Sequence, residues 1–190
     1  MNAFVDNHQH IILVTGPARS GKSEWAEALA VKAQKPITYI ATSYCSEADL
    51  DWQARVQRHR QRRPADWGTL EVPINLATSI EQATPNTCLL IDSLGTWLAN
   101  VLDQDEALWQ QTSTTLCHSL ENCPATVILV AEETGWGVIP AYPAGRSFRD
   151  RLGQLTQQIG SLADAVYLVT AGHALNLKVL GTSVSEFLEQ

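Results

Sequence analysis

At 190 residues, 45% of them hydrophobic and 17% charged, the chain suits one globular α/β domain with little left over for a second. A net charge of −7 argues against nucleic acid or an anionic membrane as main partner, and the longest apolar runs are too short to span a bilayer. Cys45, Cys88, Cys117 and Cys123 form no C-x-x-C pair, which disfavours a zinc or redox site. With no disulfide-like framework and no basic-then-apolar signal pattern, the expected compartment is the cytoplasm.

Residues 1–10 are polar and read as a frayed tail rather than a metal site built on His8 and His10. A single nucleotide-binding catalytic domain is therefore expected over residues 11–190. Ile11 to Thr15 reads as the first strand, and a helix follows from Lys22 to about Lys35 with Ala26, Leu29, Ala30 and Ala33 on one face. Ile37 to Ala41 is a second strand. Ser46 opens another helix, with Asp49 as capping-box partner, which runs to about Arg63 where Pro64 stops it. Cys88 to Ile91 is a strand of the buried kind, and Trp97 to Leu102 begins a helical stretch. Thr126 to Ala131 is a strand, Gly135 to Gly145 a loop rich in Gly and Pro, Arg149 to Leu162 a helix and Ala165 to Val169 a strand. Strands alternating with helices predict right-handed crossovers and an α/β fold: a mostly parallel sheet flanked by helices on both faces.

The loop Gly16-Pro17-Ala18-Arg19-Ser20-Gly21-Lys22-Ser23 carries the pattern G-x-x-x-x-G-K-[ST] between a strand and a helix. Glycines there allow backbone angles that strain other residues and let amides approach phosphate oxygens. The helix behind the loop points its positive end at the same phosphates. In this pattern Lys22 reaches the β- and γ-phosphates, and the Ser23 hydroxyl can ligate Mg²⁺. A dinucleotide-binding G-x-G-x-x-G is absent. Asp92, which ends Cys88-Leu89-Leu90-Ile91, fits the acidic residue that organises Mg²⁺; it could instead cap the helix that follows. Glu132 and Glu133 end the Thr126 strand and compete for that role, or for that of a catalytic base, against simple surface charge.

Arg55, Arg58, Arg60, Arg62 and Arg63 lie within nine residues of an acidic chain. Arg55 and His59 are four apart, as are Arg58 and Arg62, so each pair stacks on a helix surface. Like charges at that spacing repel. A triphosphate would offset the cost, as would Glu or Asp from elsewhere on a solvated face. His59 lies among these cations, where neighbouring positive charge favours the neutral imidazole. An imidazole can attack phosphorus to form a phosphoramidate, and arginines can stabilise charge developing on the phosphate.

Several segments in order carry a family resemblance. They are Arg19-Ser20-Gly21-Lys22-Ser23; Tyr39-Ile40-Ala41-Thr42-Ser43; Arg55-x-x-x-His59-x-x-x-Arg63-Pro64-x-x-Trp67-x-Thr69-x-Glu71; Leu90-Ile91-Asp92; Gly135-x-Gly137-x-x-Pro140; and Arg146-x-Phe148-Arg149-Asp150-x-x-Gly153. Together they resemble the bifunctional adenosylcobinamide kinase / adenosylcobinamide-phosphate guanylyltransferase family of cobalamin assembly. The match spans about Ile11 to Lys178, and its specific part is Arg55 to Glu71, since many families share the phosphate loop. The resemblance implies a RecA-like P-loop NTPase fold assembled as a homotrimer. It also implies two reactions: ATP or GTP phosphorylates the aminopropanol hydroxyl of adenosylcobinamide, and GMP then passes from GTP to that phosphate through a guanylylated histidine, releasing pyrophosphate. Carried onto this chain, that histidine is His59, and Ala41, Thr42, Ser43, Arg60, Gln61, Arg62, Arg63, Glu71 and Asp92 occupy positions similar to the guanine-nucleotide contacts.

Three places depart from the family pattern. Glu132-Glu133 stand where Asn-Glu is expected, Asp92-Ser93-Leu94-Gly95 where Asp-Cys-Leu-Thr is expected, and Thr156-Gln157 where Asn-Gln is expected. The nucleotide half is intact, so the departures bear on the corrinoid half and the kinase step. Three other readings compete: a monofunctional P-loop small-molecule kinase, which leaves His59 and its arginines unexplained; a guanylyltransferase without kinase activity; and a module that holds GTP without turning it over.

Overall fold

The computed structural model describes residues 10–44, 64–184 and 187. The expected helix from Ser46 to Arg63, with His59 and its arginines, lies outside the described residues, as do the N-terminal tail up to residue 9 and Cys45. In chain order the elements are β1 (Ile11–Gly16), α1 (Lys22–Lys32), β2 (Ile37–Ala41), β3 (Gly68–Glu71), α2 (Leu76–Glu81), β4 (Cys88–Asp92) and α3 (Leu94–Asn100). They continue with α4 (Glu106–Glu121), β5 (Thr126–Glu132), α5 (Pro143–Leu162), β6 (Ala165–Thr170), β7 (His173–Asn176) and α6 (Leu177–Leu180).

The strands form one seven-stranded sheet in the order β3-β2-β4-β5-β1-β6-β7. All neighbours are parallel except β6 and β7. The mostly parallel sheet is thus as expected, with one antiparallel edge added. That edge is a hairpin in which Thr170 pairs with His173, and the two turn residues Ala171 and Gly172 both have positive φ, 48° and 75°. Such a turn suits the twist of paired strands.

Alternation along the central strands builds two cores, because successive side chains leave opposite faces. Ile11, Leu13, Leu89, Ile91, Val127 and Leu129 pack on one side against Leu76 and Ile80 of α2, Trp97 of α3, Trp109 and Leu116 of α4, and Leu155 and Ile159 of α5. Ile12, Val14, Leu90, Ile128, Val130 and Tyr167 pack on the other against Ala26, Leu29 and Ala30 of α1. The Cys88 thiol belongs to this second core. Burial pushes its pKa up to about 12, against the opposing pull of the Lys35 ammonium, so at neutral pH it is not a nucleophile.

Several expectations are corrected. Helix α5 begins at Pro143, six residues before Arg149, because a proline in the first turn has its φ preset and lacks an amide the helix would leave unbonded. The loop of Gly135 to Gly145 is shorter to match. Helix α1 ends at Lys32, short of Lys35, and Gln34 then takes a positive φ of 53°. Helix α3 begins at Leu94, three residues before Trp97.

Among the described residues five elements are additions, the last of them the four-residue helix α6. The edge strand β3 has four exposed residues and so no apolar alternation. Helix α2 is only six residues long. In α4 two of the five buried positions are Ser113 and Ser119, which weakens the apolar stripe. Strand β7 has four residues. The turn between α3 and α4 is held by Arg151 of α5. Its guanidinium donates to the carbonyls of Leu102 at 3.0 Å and Gln104 at 2.9 Å and lies 5.3 Å from the Trp109 ring, a buried cation tied down by charged hydrogen bonds and a ring face.

Candidate active site

The chain leaves β1 through α1 toward β2 and leaves β5 through α5 toward β6, on opposite sides of β1. In open α/β sheets, the carboxyl ends of strands at such a reversal form the ligand crevice. The phosphate-loop sequence lies there, between Gly16 and Lys22.

The two glycines serve different purposes. At Gly21, φ is +92°, and Arg19 also takes a left-handed φ of 59°. Gly16 is required by packing instead: a Cβ there would sit 2.2 Å from the Val169 carbonyl oxygen and 2.9 Å from Ser20 Oγ. The backbone closes with Ser20 N–H donating to the Pro17 carbonyl at 3.3 Å, and Glu133 N–H donating to the Gly16 carbonyl at 2.9 Å. Among the described residues no side chain caps α1, whose N-cap is Gly21, so its first-turn amides face the loop as donors for an anion.

Lys22 is 7% exposed, and its Nζ folds back over the loop to donate to the Pro17 carbonyl at 3.4 Å. Ser23 is half-buried beside it. Thr15 Oγ1 and Ser20 Oγ are buried without a hydrogen-bond partner among the described residues.

The acidic residues line the same edge. Cα pairing places Glu71 beside Ala41 and Ala41 beside Asp92, in one row across β3, β2 and β4. Gly16 pairs with Glu132 two strands further on. Strand order thus sets the phosphate loop, Asp92, Ala41 and Glu71 along one edge of the sheet, with Glu71 on the strand furthest from the loop. Thr42 is fully buried and Ser43 half-buried. Of the sequence-derived candidates, His59, Arg60, Gln61, Arg62 and Arg63 lie outside the described residues.

The three carboxylates at the ends of β4 and β5 differ in how far they are committed. Helix α3 is capped by Ser93, with Thr96 completing a reciprocal box, so the reading of Asp92 as helix cap is overturned. Among the described residues, none donates to the Asp92 carboxylate. Glu133 accepts from Gly135 N–H at 2.7 Å. Glu132 accepts from Ser93 Oγ at 2.5 Å and from Gly95 N–H at 3.0 Å.

Sequence reasoning missed the polar cluster behind Asp92. Thr42 Oγ1 donates to the Ser93 carbonyl at 2.7 Å and accepts from Ser93 N–H at 3.0 Å. Asn100 Nδ2 donates to the carbonyls of Thr42 at 2.7 Å and Pro73 at 2.9 Å. A serine three residues ahead of a threonine, before an apolar helix, was the available signal for the cap. Nothing local could reveal Glu132, which lies 39 residues away. The departures from the family pattern at positions 93, 95 and 132 are one structural unit, since a Cβ on Gly95 would lie 2.2 Å from Glu132 Oε2. Thr156 is separate: on α5 its hydroxyl donates to the Leu152 carbonyl.

Such an edge can bind a polyphosphate and place a hard cation. A serine hydroxyl and a carboxylate are the oxygen donors Mg²⁺ accepts, usually with phosphates and water filling the other positions. Among the described residues, no three His, Cys, Asp or Glu gather into a metal cage, and no helix is long and apolar enough to cross a membrane.

Residues 12–177 match the family described as cobinamide kinase / cobinamide phosphate guanyltransferase. The chain belongs to that family. It is 38% identical over 169 residues to the bifunctional adenosylcobalamin biosynthesis protein CobP of Pseudomonas aeruginosa, covering 87% of this chain and 96% of that one. It is 36% identical over 183 residues to the bifunctional adenosylcobalamin biosynthesis protein CobU of Escherichia coli, covering 88% and 99%.

Among solved structures, a protein of Pyrococcus horikoshii OT3 superposes with a TM-score of 0.54 at 8% identity, over 88% of this chain and 85% of that one. An ATPase of a bacterial type III secretion system does so at 0.50 and 11% identity, over 94% and 60%. These two likenesses show the fold alone, a mostly parallel sheet flanked by helices. Like its family, the chain is a transferase of cobalamin biosynthesis with nucleotide and cobinamide substrates.

Proposed function

We propose that the chain carries out both family reactions in sequence at the carboxyl edge of the sheet. The observation that carries this is the family match over residues 12–177 with the phosphate loop intact. In the first reaction, ATP or GTP lies with its β- and γ-phosphates on the amides of Ala18 to Ser23 and on Lys22. The aminopropanol hydroxyl of adenosylcobinamide attacks the γ-phosphorus, the bond to the bridging oxygen breaks, and the hydroxyl proton is lost. Ser23 and Asp92 would hold Mg²⁺, which when bound neutralises charge on the phosphate oxygens.

In the second reaction, a ring nitrogen of His59 attacks the α-phosphorus of GTP and pyrophosphate leaves. A phosphate oxygen of adenosylcobinamide phosphate then attacks the same phosphorus and the P–N bond breaks, giving adenosylcobinamide-GDP and free His59. Ala41, Thr42, Ser43, Arg60, Gln61, Arg62, Arg63, Glu71 and Asp92 form the guanine-nucleotide site. Glu71, Ala41 and Asp92 share one row of the sheet, which supports their grouping.

Residues 11–190 act as one catalytic domain. The protein works in the cytoplasm as a homotrimer and engages neither nucleic acid nor membrane; light scattering should return three times the 20.8 kDa chain mass. Incubation with GTP and no corrinoid tests the central reading. Mass spectrometry should find one covalently bound GMP per chain, released as adenosylcobinamide-GDP when adenosylcobinamide phosphate is added. A chain that binds GTP but carries no adduct is a kinase or a nucleotide-holding module instead.

A further inference from the structure

We propose that Glu132 is a positioning residue: through Ser93 and Gly95 it sets the turn after β4 so that Asp92 faces the metal–nucleotide. This rests on the reading of Asp92 as the carboxylate that organises Mg²⁺.

The geometry isolates the residue. Glu132 ends β5, next to β1, and pairs in register with Gly16, the first residue of the phosphate loop. Its two carboxylate oxygens reach the other way. One accepts from Ser93 Oγ at 2.5 Å, the other from Gly95 N–H at 3.0 Å. Ser93 is the residue after Asp92, and its remaining polar groups are also tied. Its N–H donates to Thr42 Oγ1 at 3.0 Å, and its carbonyl accepts from Thr42 at 2.7 Å and from Thr96 at 3.0 Å. With every polar group of Ser93 fixed, the direction in which Asp92 leaves the strand is fixed as well. Asp92 itself receives no hydrogen bond among the described residues, so its orientation comes from this backbone clamp. Glu132 joins the clamp to the phosphate loop. Gly95 makes the arrangement possible, because a Cβ at that position would lie 2.2 Å from Glu132 Oε2. A carboxylate on the first amides of a helix also complements the helix dipole.

Outer residues that orient a metal-organising group typically change metal affinity by about 10–100-fold when removed. The test measures GTP affinity with and without Mg²⁺, and Mn²⁺ binding to the GTP complex by electron paramagnetic resonance, with circular dichroism to establish folding. Glu132→Ala should raise the half-saturating metal concentration about 10–100-fold while leaving metal-free GTP affinity unchanged. Gly95→Ala, which evicts the carboxylate without altering it, should do the same, and the double variant should be no worse than either single one, as for two members of one interaction. Glu132→Gln keeps an oxygen acceptor and should fall between.

Folded variants with wild-type metal dependence would overturn the proposal and leave Glu132 a merely structural cap. Additive effects of Glu132→Ala and Gly95→Ala would overturn it as well. So would a Glu132→Gln protein that binds metal and GTP normally but has lost turnover, since Glu132 would then be moving a proton. Asp92→Asn, measured in parallel, separates the two layers. If it leaves metal dependence unchanged, the Asp92 reading falls and takes this proposal with it. If it shifts metal dependence and the Glu132 variants do not, only the positioning role falls.

Discussion

Lys22→Ala should lower turnover of the kinase reaction by about 10²–10³-fold, the effect typical of removing one preorganised donor from a transition-state site. The protein should melt no lower than the wild type. Both halves follow from where Lys22 sits. It is 7% exposed, and its ammonium meets one carbonyl at 3.4 Å. No carboxylate pairs with it among the described residues. A buried cation so weakly compensated costs folding free energy, so truncating it removes that cost along with the phosphate contact. Nucleotide affinity should fall as well as turnover, because Lys22 meets the β- and γ-phosphates in the ground state and more strongly as charge develops in the transition state. Calorimetric titration with GTP, steady-state rates and a thermal melt measure all three. Wild-type affinity and rate in the folded variant would remove the phosphate loop from the proposed mechanism.

The second large effect separates the two reactions. His59→Asn should fold, bind GTP and keep the kinase step within a few-fold, while guanylyl transfer drops by about 10³-fold or more, since the covalent route is closed. Asparagine approximates the size of histidine but has no nucleophilic nitrogen. The covalent GMP expected on the wild-type chain should be absent from the variant. On the wild type it should be labile to acid and stable to alkali, as a phosphorus–nitrogen bond is. Covalent GMP persisting on the variant would place the nucleophile elsewhere. Equal loss of both reactions in a folded variant would make His59 part of a shared nucleotide site and undo the division into two chemistries.

Signals confined to a few consecutive residues were legible without coordinates. The buried strands at β1, β4, β5 and β6 and the loop from Gly16 to Ser23 declare themselves through short apolar runs and glycine spacing. Elements whose stability comes from partners did not. Strand β3 exists because Gly68 to Glu71 pair with Thr38 to Ala41, and α4 because a stripe containing two serines packs under α2 and α5. Gly16 was legible as a residue type and misread in cause: the backbone angle matters at Gly21, whereas Gly16 is squeezed by the Val169 carbonyl of β6.

By itself the sequence determined the phosphate loop, the parallel α/β class and the family, because each is written in local spacing or in ordered motifs that need no coordinates. Only the tertiary structure decided which acidic side chains are committed. Asp92, Glu132 and Glu133 look alike at the ends of two strands. The strand order β2-β4-β5-β1 sets Glu132 against the first turn of α3, and leaves Asp92 without a donor among the described residues. The physical reason is that a carboxylate's role depends on which donors fold against it. For Glu132 those donors lie 37 and 39 residues away in the chain, at a distance no local pattern records.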